Sequence, residues 1–341
     1  MEKLEFASFD VTYGCNFNCL HCFNSSGQKK SFQREMTDEE ALRIAADLAK
    51  YEPMSMCICG GETLLRKDLV YKIGETVKAI SPDSSVNLVT NGFLMTEEIA
   101  DRLKESKYDL VQVSLDGISN ETHNWLRGND HALEHALRAI DILVSRDFYT
   151  GVACAPTKKN LDEMPAIVEK AHNLGVKMFR SQPLMLLGRA KKNLQDVVLD
   201  EMDRFILVEM LDEAKAKFRD MDVSWGDPIQ HIADLQQDDK TVNFASVNAF
   251  GHIIVTPYLP IDFGDMKCHT FDECLEKGYK TINRNAFVRK LLSMIDDANS
   301  LDVHEQNKLL PELGVEENIH MDLWGEPLEK QAEELLKKYF G

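Results

Sequence analysis

Three cysteines near the start of the chain have the residue type and the spacing of a metal site. Cys15, Cys19 and Cys22 form a C-x3-C-x2-C pattern, and the next cysteine along the chain is Cys57. Thiolates at such spacing bind either a zinc ion or an iron–sulfur cluster. A tetrahedral zinc ion needs a fourth ligand in addition to the three thiolates. His21 is adjacent to Cys22, and two adjacent residues cannot comfortably bind one small ion, so a more distant histidine or a water would be needed. A cluster held by three thiolates leaves one iron with an open coordination position, which a ligand carrying an amine and a carboxylate could fill.

The elements that must position these cysteines alternate in type along the chain. Short apolar, β-branched segments predict six strands, at 6–11, 54–59, 86–90, 110–115, 151–155 and 176–181. Apolar residues at helical spacing predict the intervening helices, at 37–51, 66–80, 96–106, 132–146 and 160–175. Thr37 and Glu40 have the spacing of a capping box at the first helix. Six βα units in series predict a parallel sheet, and six are too few for a closed barrel. We therefore expect an α/β fold that forms an open, partial (β/α)6 TIM-like barrel.

Four polar features follow the first four predicted strands. The cysteines follow the first strand, and the sequences GGE (60–62), TNG (90–92) and SLDG (114–117) follow the next three. In barrels of this kind, ligands bind at the C-terminal ends of the strands. The convergence of four such features on one edge predicts a single functional site there.

The pattern of the chain changes after about residue 195. A long helix is predicted at 197–221, followed by short strands with a hairpin turn at Gly251. We expect residues 1–221 to form the barrel core and residues 222–341 to form a small α+β extension. The segment 326–341 predicts an amphipathic helix that packs on the core.

Composition limits the classes of partner. The chain has 341 residues and a formal net charge of −18, which argues against nucleic acid as the main partner. The basic segment GRAKK (188–192) is interpreted as a solvated face. No apolar segment is long enough for a transmembrane helix and no signal peptide is recognisable, so a cytoplasmic protein without a membrane partner is expected. Eight cysteines in such a protein are not expected to form disulfides.

The C-x3-C-x2-C pattern after the first strand of a partial barrel resembles the signature of the radical S-adenosylmethionine (radical SAM) enzymes. The resemblance implies that Cys15, Cys19 and Cys22 hold one [4Fe–4S] cluster, whose open iron binds the amino and carboxylate groups of S-adenosylmethionine (SAM). It implies that reductive cleavage of SAM gives a 5′-deoxyadenosyl radical, which abstracts hydrogen from a substrate. A flavodoxin or ferredoxin-type reductant is the implied electron donor.

The sequence after the second strand extends the resemblance. Gly60, Gly61 and Glu62 match the GGE motif of the family, whose backbone and carboxylate hold the amino group of SAM. Glycine at these positions allows the backbone to approach a ligand closely. The family usually has proline after this motif, and Thr63 in this chain is a minor departure.

Five further residues match cofactor-binding positions of the family. Ser114 and Asp116 match residues near the ribose of SAM, and Asn91 matches a polar residue of the same pocket. Arg127 matches an arginine that pairs with the carboxylate of SAM, for which a planar guanidinium is well suited. His21 takes the position that lies against the adenine.

Residues 6 to about 290 resemble the subgroup with a C-terminal SPASM or twitch extension. That subgroup includes peptide maturases, such as those of pyrroloquinoline quinone and mycofactocin, and enzymes of haem pathways. Its extension normally carries several further cysteines for auxiliary clusters, whereas this chain has only Cys268 and Cys274 in its C-terminal third. We therefore expect one cluster, a cluster-free twitch-like cap, and ordinary thiols at these two positions.

The resemblance implies an oxidoreductase-type radical enzyme that modifies a ribosomal peptide or a small-molecule or cofactor precursor. Without auxiliary clusters beside the substrate, epimerisation or rearrangement gains weight as an alternative reaction. An epimerase needs a thiol that donates a hydrogen atom, and the candidates are Cys154, Cys57 and Cys59. Their alternative interpretation is that of small buried apolar side chains.

Other features leave several possibilities open. A peptide substrate would bind either directly in the cleft or through a separate peptide-recognition protein. Tyr258, Asp262 and His252 in the extension either reach the cleft or are a packed aromatic and two surface polar residues. The competing classes are a zinc-dependent (β/α) protein and a non-catalytic iron–sulfur scaffold or sensor.

Overall fold

The computed structural model describes residues 3–27, 33–226, 230–237, 241–259, 261–295 and 319–341. The strands within these residues are β1 (Phe6–Thr12), β2 (Ser55–Gly60), β3 (Ser85–Thr90), β4 (Leu110–Ser114), β5 (Tyr149–Cys154), β6 (Met178–Ser181), β7 (Asp222–Trp225), β8 (Phe244–Val247), β9 (His252–Ile254), β10 (Ile261–Asp262), β11 (Gly264–Asp265) and β12 (Ile319–His320). The helices are α1 (Asp38–Ala49), α2 (Lys67–Ile80), α3 (Glu97–Glu105), α4 (Ala132–Val144), α5 (Met164–Asn173), α6 (Gly188–Asn193), α7 (Glu201–Lys217), α8 (Gln230–Leu235), α9 (Phe271–Glu276), α10 (Ala286–Leu292) and α11 (Leu328–Phe340). Shorter helical turns span Thr63–Arg66, Asn120–Asn124, Trp125–Arg127, Gln195–Val197 and Tyr279–Arg284.

Ten of these strands form one sheet. Its order is β11-β9-β8-β1-β2-β3-β4-β5-β6-β7, and every neighbouring pair from β8 through β7 is parallel. In the described residues β7 and β11 are the two edges, so the sheet is open. The predicted α/β fold with an unclosed, mostly parallel sheet is therefore confirmed, and β10 and β12 form a separate parallel pair.

All six predicted strands are present, but the parallel part of the sheet has eight. The additional strands are β7, which pairs with β6, and β8, which pairs with β1. In β7 the sequence DVSW contains a single buried apolar side chain, that of Val223, so the apolar pattern is too short to indicate a strand. The predicted boundary at residue 222 stays a prediction, although the sheet includes strands from both sides of it.

Local sequence signals place the helices that cover the sheet. The predicted capping box of α1 is present, because Thr37 accepts from the Glu40 amide while the Glu40 carboxylate accepts from the Thr37 amide. The long helix predicted at 197–221 is the shorter α7, which starts after a second capping box formed by Asp200 and Asp203. The predicted C-terminal helix is α11. Among the described helices, none has the length and apolar composition needed to cross a bilayer.

The hairpin predicted at Gly251 is also present. Strands β8 and β9 pair antiparallel, and Gly251 has a φ of 82°, in the left-handed region that favours glycine. This hairpin attaches the extension to the barrel, since β8 pairs with β1 on its other side.

Candidate functional site

The three clustered cysteines lie in a closed loop at the C-terminal end of β1. The register between β1 and β2 shifts between Asp10 and Thr12, which marks a bulge where the loop begins. The loop closes where the Gly27 amide donates to the Tyr13 carbonyl over 2.9 Å. Its three thiols line one cavity of about 500 Å³.

Backbone groups of the loop point at the sulfur atoms. The Phe17 amide donates to Cys15 Sγ over 3.4 Å, and the Ser26 amide donates to Cys22 Sγ over 3.3 Å. Burial raises the pKa of Cys19 to about 11, although the nearby charge of Arg127 opposes the rise. A coordinated metal deprotonates such a thiol, and amide donors to sulfur stabilise the resulting thiolate. The donor set therefore fits a thiolate-bound metal centre.

Arg189 anchors the cysteine loop from a distant part of the chain. Its Nε donates to the Cys19 carbonyl and its Nη1 to the Ser26 carbonyl, both over 2.8 Å. Its backbone amide donates to the Cys22 carbonyl over 3.0 Å. Arg189 is buried, so the interpretation of GRAKK as a solvated face is wrong for this residue. The one available signal was its position in the segment that follows the last predicted strand.

Glycines at the end of β2 allow close contact with the same loop. The Gly61 amide donates to the Thr12 carbonyl over 2.6 Å, and the Glu62 amide to the Gly14 carbonyl over 2.9 Å. A Cβ atom on Gly61 would lie 2.0 Å from the Gly14 carbonyl oxygen, and one on Gly60 would lie 2.3 Å from that of Thr12. In this structure the glycines are required by the approach of one backbone to another.

The Glu62 carboxylate connects the loops after β2 and β3. It is fully buried and accepts from Thr90 Oγ1 over 2.7 Å, from the Asn91 amide over 2.8 Å and from the Leu64 amide over 3.1 Å. The Asn91 side chain then donates to Asn16 Oδ1 in the cysteine loop over 2.9 Å. These bonds fix three loops relative to one another.

A buried ion pair connects β4 to the short helical turn that contains Arg127. The Nε of Arg127 donates to Asp116 Oδ2 over 2.5 Å, and the Ala155 amide donates to Asp116 Oδ1 over 2.9 Å. Burial alone would raise the pKa of Asp116, but the Arg127 charge and neighbouring groups lower it to about 2. The carboxylate is therefore ionised and holds the guanidinium in place.

His123, in the helical turn Asn120–Asn124, contacts the backbone of Asp116. Its Nδ1 accepts from the Asp116 amide over 2.9 Å, which requires a neutral ring with the proton on Nε2. Burial lowers the pKa of His123 to about 4, which keeps the ring in that form.

Most of the residues with predicted cofactor contacts line the cavity that the cysteines line. These residues are His21, Gly60, Gly61, Asn91, Ser114 and Arg127. Glu62 and Asp116 do not line the cavity. Both are fully buried and form hydrogen bonds with protein groups, so their direct contact with a cofactor remains a prediction.

His21 offers a polar atom without a partner. Among the described residues, its buried Nδ1 has no hydrogen-bond partner. Burial, followed by the charge of Arg127, lowers the pKa of His21 to about 4, so the ring is neutral. Buried polar atoms are normally paired, and this one is available to a bound molecule.

The three candidate hydrogen-donor cysteines also line the cavity. Cys57 and Cys59 share one face of β2, as the alternation of strand side chains predicts. Cys59 Sγ donates to Asp10 Oδ1 over 3.2 Å, and Cys154 is buried at the end of β5. All eight cysteines are free thiols, in agreement with the expectation of no disulfides.

The sequence did not decide whether Tyr258, Asp262 and His252 of the extension reach the cleft, and Tyr258 lines the cavity. His252 and Asp262 are buried, so the interpretation of these two as surface residues is wrong. They lie together with His320 in the extension.

The chain is similar to several known proteins. Residues 9–171 match the model of the radical SAM superfamily. The chain is 30% identical over 214 residues to the AdoMet-dependent heme synthase of Methanosarcina barkeri, covering 62% of this chain and 60% of that protein. It is 27% identical over 234 residues to the sporulation killing factor maturation protein SkfB of Bacillus subtilis, covering 69% and 53%. It is 30% identical over 169 residues to the mycofactocin maturase MftC of Mycolicibacterium smegmatis, covering 49% and 42%. The matches thus span between 42% and 60% of the length of these relatives.

Solved structures share the fold. The structure of anSMEcpe with bound AdoMet has a TM-score of 0.60 at 18% identity and covers 98% of this chain and 96% of that chain. The structure of Streptococcus suis SuiB bound to S-adenosylmethionine has a TM-score of 0.61 at 14% identity and covers 75% and 61%. The first of these likenesses covers almost the whole chain and therefore includes most of the extension.

Proposed function

Because residues 9–171 match the model of the radical SAM superfamily, we propose that this chain holds one [4Fe–4S] cluster on Cys15, Cys19 and Cys22 and acts on its substrate through SAM. The observation that carries the proposal is the shared cavity, which these thiols line together with Gly61 and Arg127. Its volume of about 500 Å³ lies within the usual range for small-molecule sites. Three thiolates leave one iron of a cubane cluster without a protein ligand.

The residues around the cluster position would orient SAM. Asp116 uses the Nε of Arg127, and the other N–H groups of the guanidinium are the proposed donors to the SAM carboxylate. Ser114 presents a hydroxyl for the ribose, Asn91 lines the same pocket, and His21 Nδ1 is the proposed partner of the adenine. When bound, the cluster and SAM supply a 5′-deoxyadenosyl radical that removes a hydrogen atom from the substrate.

Two carboxylates are proposed as positioning residues. Glu62 holds the Asn91 backbone, and Asp116 holds the Arg127 guanidinium, each from a fully buried position. Such support reduces the cost of orienting a ligand, because the side chains that contact it are already fixed.

The names of the relatives suggest the substrate class. They include a heme synthase and two maturation proteins, and one of the SuiB structures contains the precursor peptide SuiA. We propose a ribosomal peptide or a small-molecule cofactor precursor as the substrate. A flavodoxin or ferredoxin-type protein would supply the electron. A peptide substrate would bind either directly in the cleft or through a separate peptide-recognition protein.

Anaerobic reconstitution tests the proposal. The chain is loaded with iron and sulfide, reduced with dithionite and incubated with SAM. About four irons per chain and formation of 5′-deoxyadenosine are expected. The matched control is the double variant Cys268→Ala/Cys274→Ala, which should retain the iron content of the wild type. A colourless protein whose zinc is lost in Cys15→Ala would indicate the zinc protein. A cluster whose spectrum does not change on addition of SAM would indicate a scaffold or sensor.

A second candidate reaction is a redox-neutral epimerisation. It is favoured by the presence of Cys57, Cys59 and Cys154 on the wall of the same cavity. A hydrogen-atom donor must carry its proton, and burial raises the pKa of Cys154, which keeps it a thiol. The thiol would give its hydrogen atom to a substrate radical, and the external reductant would then restore the resulting thiyl radical with one electron and one proton.

Solvent deuterium separates the two reactions. An epimerisation in D2O places one deuterium on the product carbon, since a thiol exchanges its proton with solvent. Replacement of the donor cysteine by alanine would then abolish incorporation without abolishing 5′-deoxyadenosine formation. A product without solvent deuterium would exclude the thiol donor.

A further inference from the structure

A second group of metal-binding side chains lies in the extension and belongs to no part of the barrel cavity. It consists of His252 on β9, Asp262 on β10 and His320 on β12. One ligand atom from each lies within 4.8 Å of the other two, and in the described part of the chain this is the one group of three with that property.

The Asp262 carboxylate lies between the two imidazoles. Its Oδ1 is 2.5 Å from His320 Nδ1, and its Oδ2 is 3.2 Å from His252 Nδ1. The carboxylate and His252 are buried, with residue exposures of 3% and 8%. The His320 side chain is 45% exposed, so the group can be reached from solvent on one side.

His252 Nδ1 is the unsatisfied member of this group. It is buried and its hydrogen-bonding capacity is not satisfied among the described residues, although Asp262 Oδ2 lies 3.2 Å away. Buried polar atoms normally have a hydrogen-bond partner. A metal ion would instead accept the lone pair of this nitrogen when the imidazole is neutral.

We infer that His252, Asp262 and His320 bind one divalent transition-metal ion of the Zn²⁺ type. Imidazole nitrogen and carboxylate oxygen are ordinary zinc ligands, and tetrahedral coordination at bonds of about 2.1 Å places ligand atoms about 3.4 Å apart. The two separations that involve Asp262, 2.5 Å and 3.2 Å, lie within about 1 Å of this value. Two histidines and one carboxylate leave the remaining coordination positions for water or another small ligand.

The ion would connect three strands that do not all belong to one sheet. β9 belongs to the large sheet, whereas β10 and β12 form their own pair through Ile261 and Ile319. A metal bound to one residue of each strand ties residues 319–341, including α11, to the large sheet. The inference is independent of the proposed radical chemistry, since none of its ligands lines the cavity.

Zinc titration of the cluster-loaded chain tests the inference, because loading occupies the cysteine site. Metal is first removed from other sites by chelation, and Zn²⁺ binding is then measured by competition with a chromophoric chelator. One equivalent is expected to bind the wild type. His320→Ala and Asp262→Asn should each weaken binding by at least about 100-fold, since loss of even an outer-shell partner costs 10–100-fold. His172→Ala, a histidine paired with Asp220 on the surface, is the matched control and should bind like the wild type.

Two further readouts keep the result interpretable. The difference spectrum on adding Co²⁺ in place of Zn²⁺ should show nitrogen and oxygen ligands without new cobalt–thiolate charge-transfer bands, and it should be lost in His320→Ala. Zn²⁺ should raise the melting temperature of the wild type but not of Asp262→Asn. Uptake of no zinc by the wild type, or equal uptake by both variants and the control, would overturn the inference.

Discussion

The cysteine loop and the His–Asp–His group differ in how the chain brings their ligands together. Cys15, Cys19 and Cys22 lie within one loop, so their spacing alone indicates a metal site. His252, Asp262 and His320 come from three strands, and only the pairing of those strands brings them into contact. Local ligand sets can therefore be predicted from sequence, whereas dispersed sets become visible only in the folded chain.

The two regions also differ in what surrounds the ligands. The cysteine loop is fixed by Arg189, by the end of β2 and by the bond between Asn91 and Asn16. The group in the extension is held by the pairing of β10 with β12, by the bond from the Phe263 amide to the Ile253 carbonyl, and by the Asp262 carboxylate between the two imidazoles. We expect substitutions around the cysteine loop to be costly and those around His320 to be tolerated unless metal is present.

The largest effect is expected from the cysteine loop itself. Alanine at Cys15, Cys19 or Cys22 should abolish cluster binding and 5′-deoxyadenosine formation, because each is a proposed iron ligand. Iron content and product are measured after anaerobic reconstitution. His320→Ala is the comparison from the other region and should leave both unchanged. Full product formation by any of the cysteine variants would remove that residue from the ligand set.

The buried ion pair should give the next largest effect. Asp116→Asn leaves the Arg127 charge buried without its partner, which costs about 3–5 kcal/mol of unfolding free energy. Chemical denaturation measures the loss. Asp101→Asn breaks a pair with Arg146 in which the Asp101 side chain is 60% exposed, and it should cost less than about 1 kcal/mol. Equal costs for the two variants would contradict the importance of burial here.

A methyl group at the end of β2 should lower both the stability of the chain and its cluster content. Gly61→Ala places a Cβ where the Gly14 carbonyl lies, so the cysteine loop must shift, at a cost of about 1–3 kcal/mol. Gly325→Ala is the control, since its Cβ would meet the movable Asp322 side chain at 3.0 Å. Thermal unfolding and cluster content are measured for both. Normal cluster content in Gly61→Ala would show that the loop adapts.

The most gradual effect, and the smallest per pH unit, is a pH dependence from His123. The folded chain protonates this ring near pH 4 because burial lowers its pKa, whereas the unfolded chain does so near 6.5. Between these values the unfolded state binds more protons, so stability falls as the pH falls, by up to about 1.4 kcal/mol per pH unit. His123→Gln should reduce the slope of unfolding free energy against pH in this window. An unchanged slope would assign the dependence to other groups.

Much of the barrel could be predicted from sequence, because alternating apolar strands and capped helices are local signals. The strand β7 was missed because its four residues contain a single buried apolar side chain. The short strands of the hairpin at Gly251 were predicted, but the parallel pairing of β8 with β1 was not, because it joins segments far apart in the chain. The role of Arg189 could not be predicted either, since its three bonds are to backbone groups more than 160 residues away. Glu62 was found as part of a motif, yet its bonds to Thr90 and Asn91 required the structure.

The measurement that tests the central claim most directly is electron–nuclear double resonance of the reduced, reconstituted protein with SAM labelled at its amino nitrogen and carboxylate. An iron without a protein ligand should accept these two groups, so hyperfine coupling from both labels is the predicted result. Signals identical with and without SAM would show that the fourth iron is closed or the cluster absent, and the proposed chemistry of this cavity would be wrong.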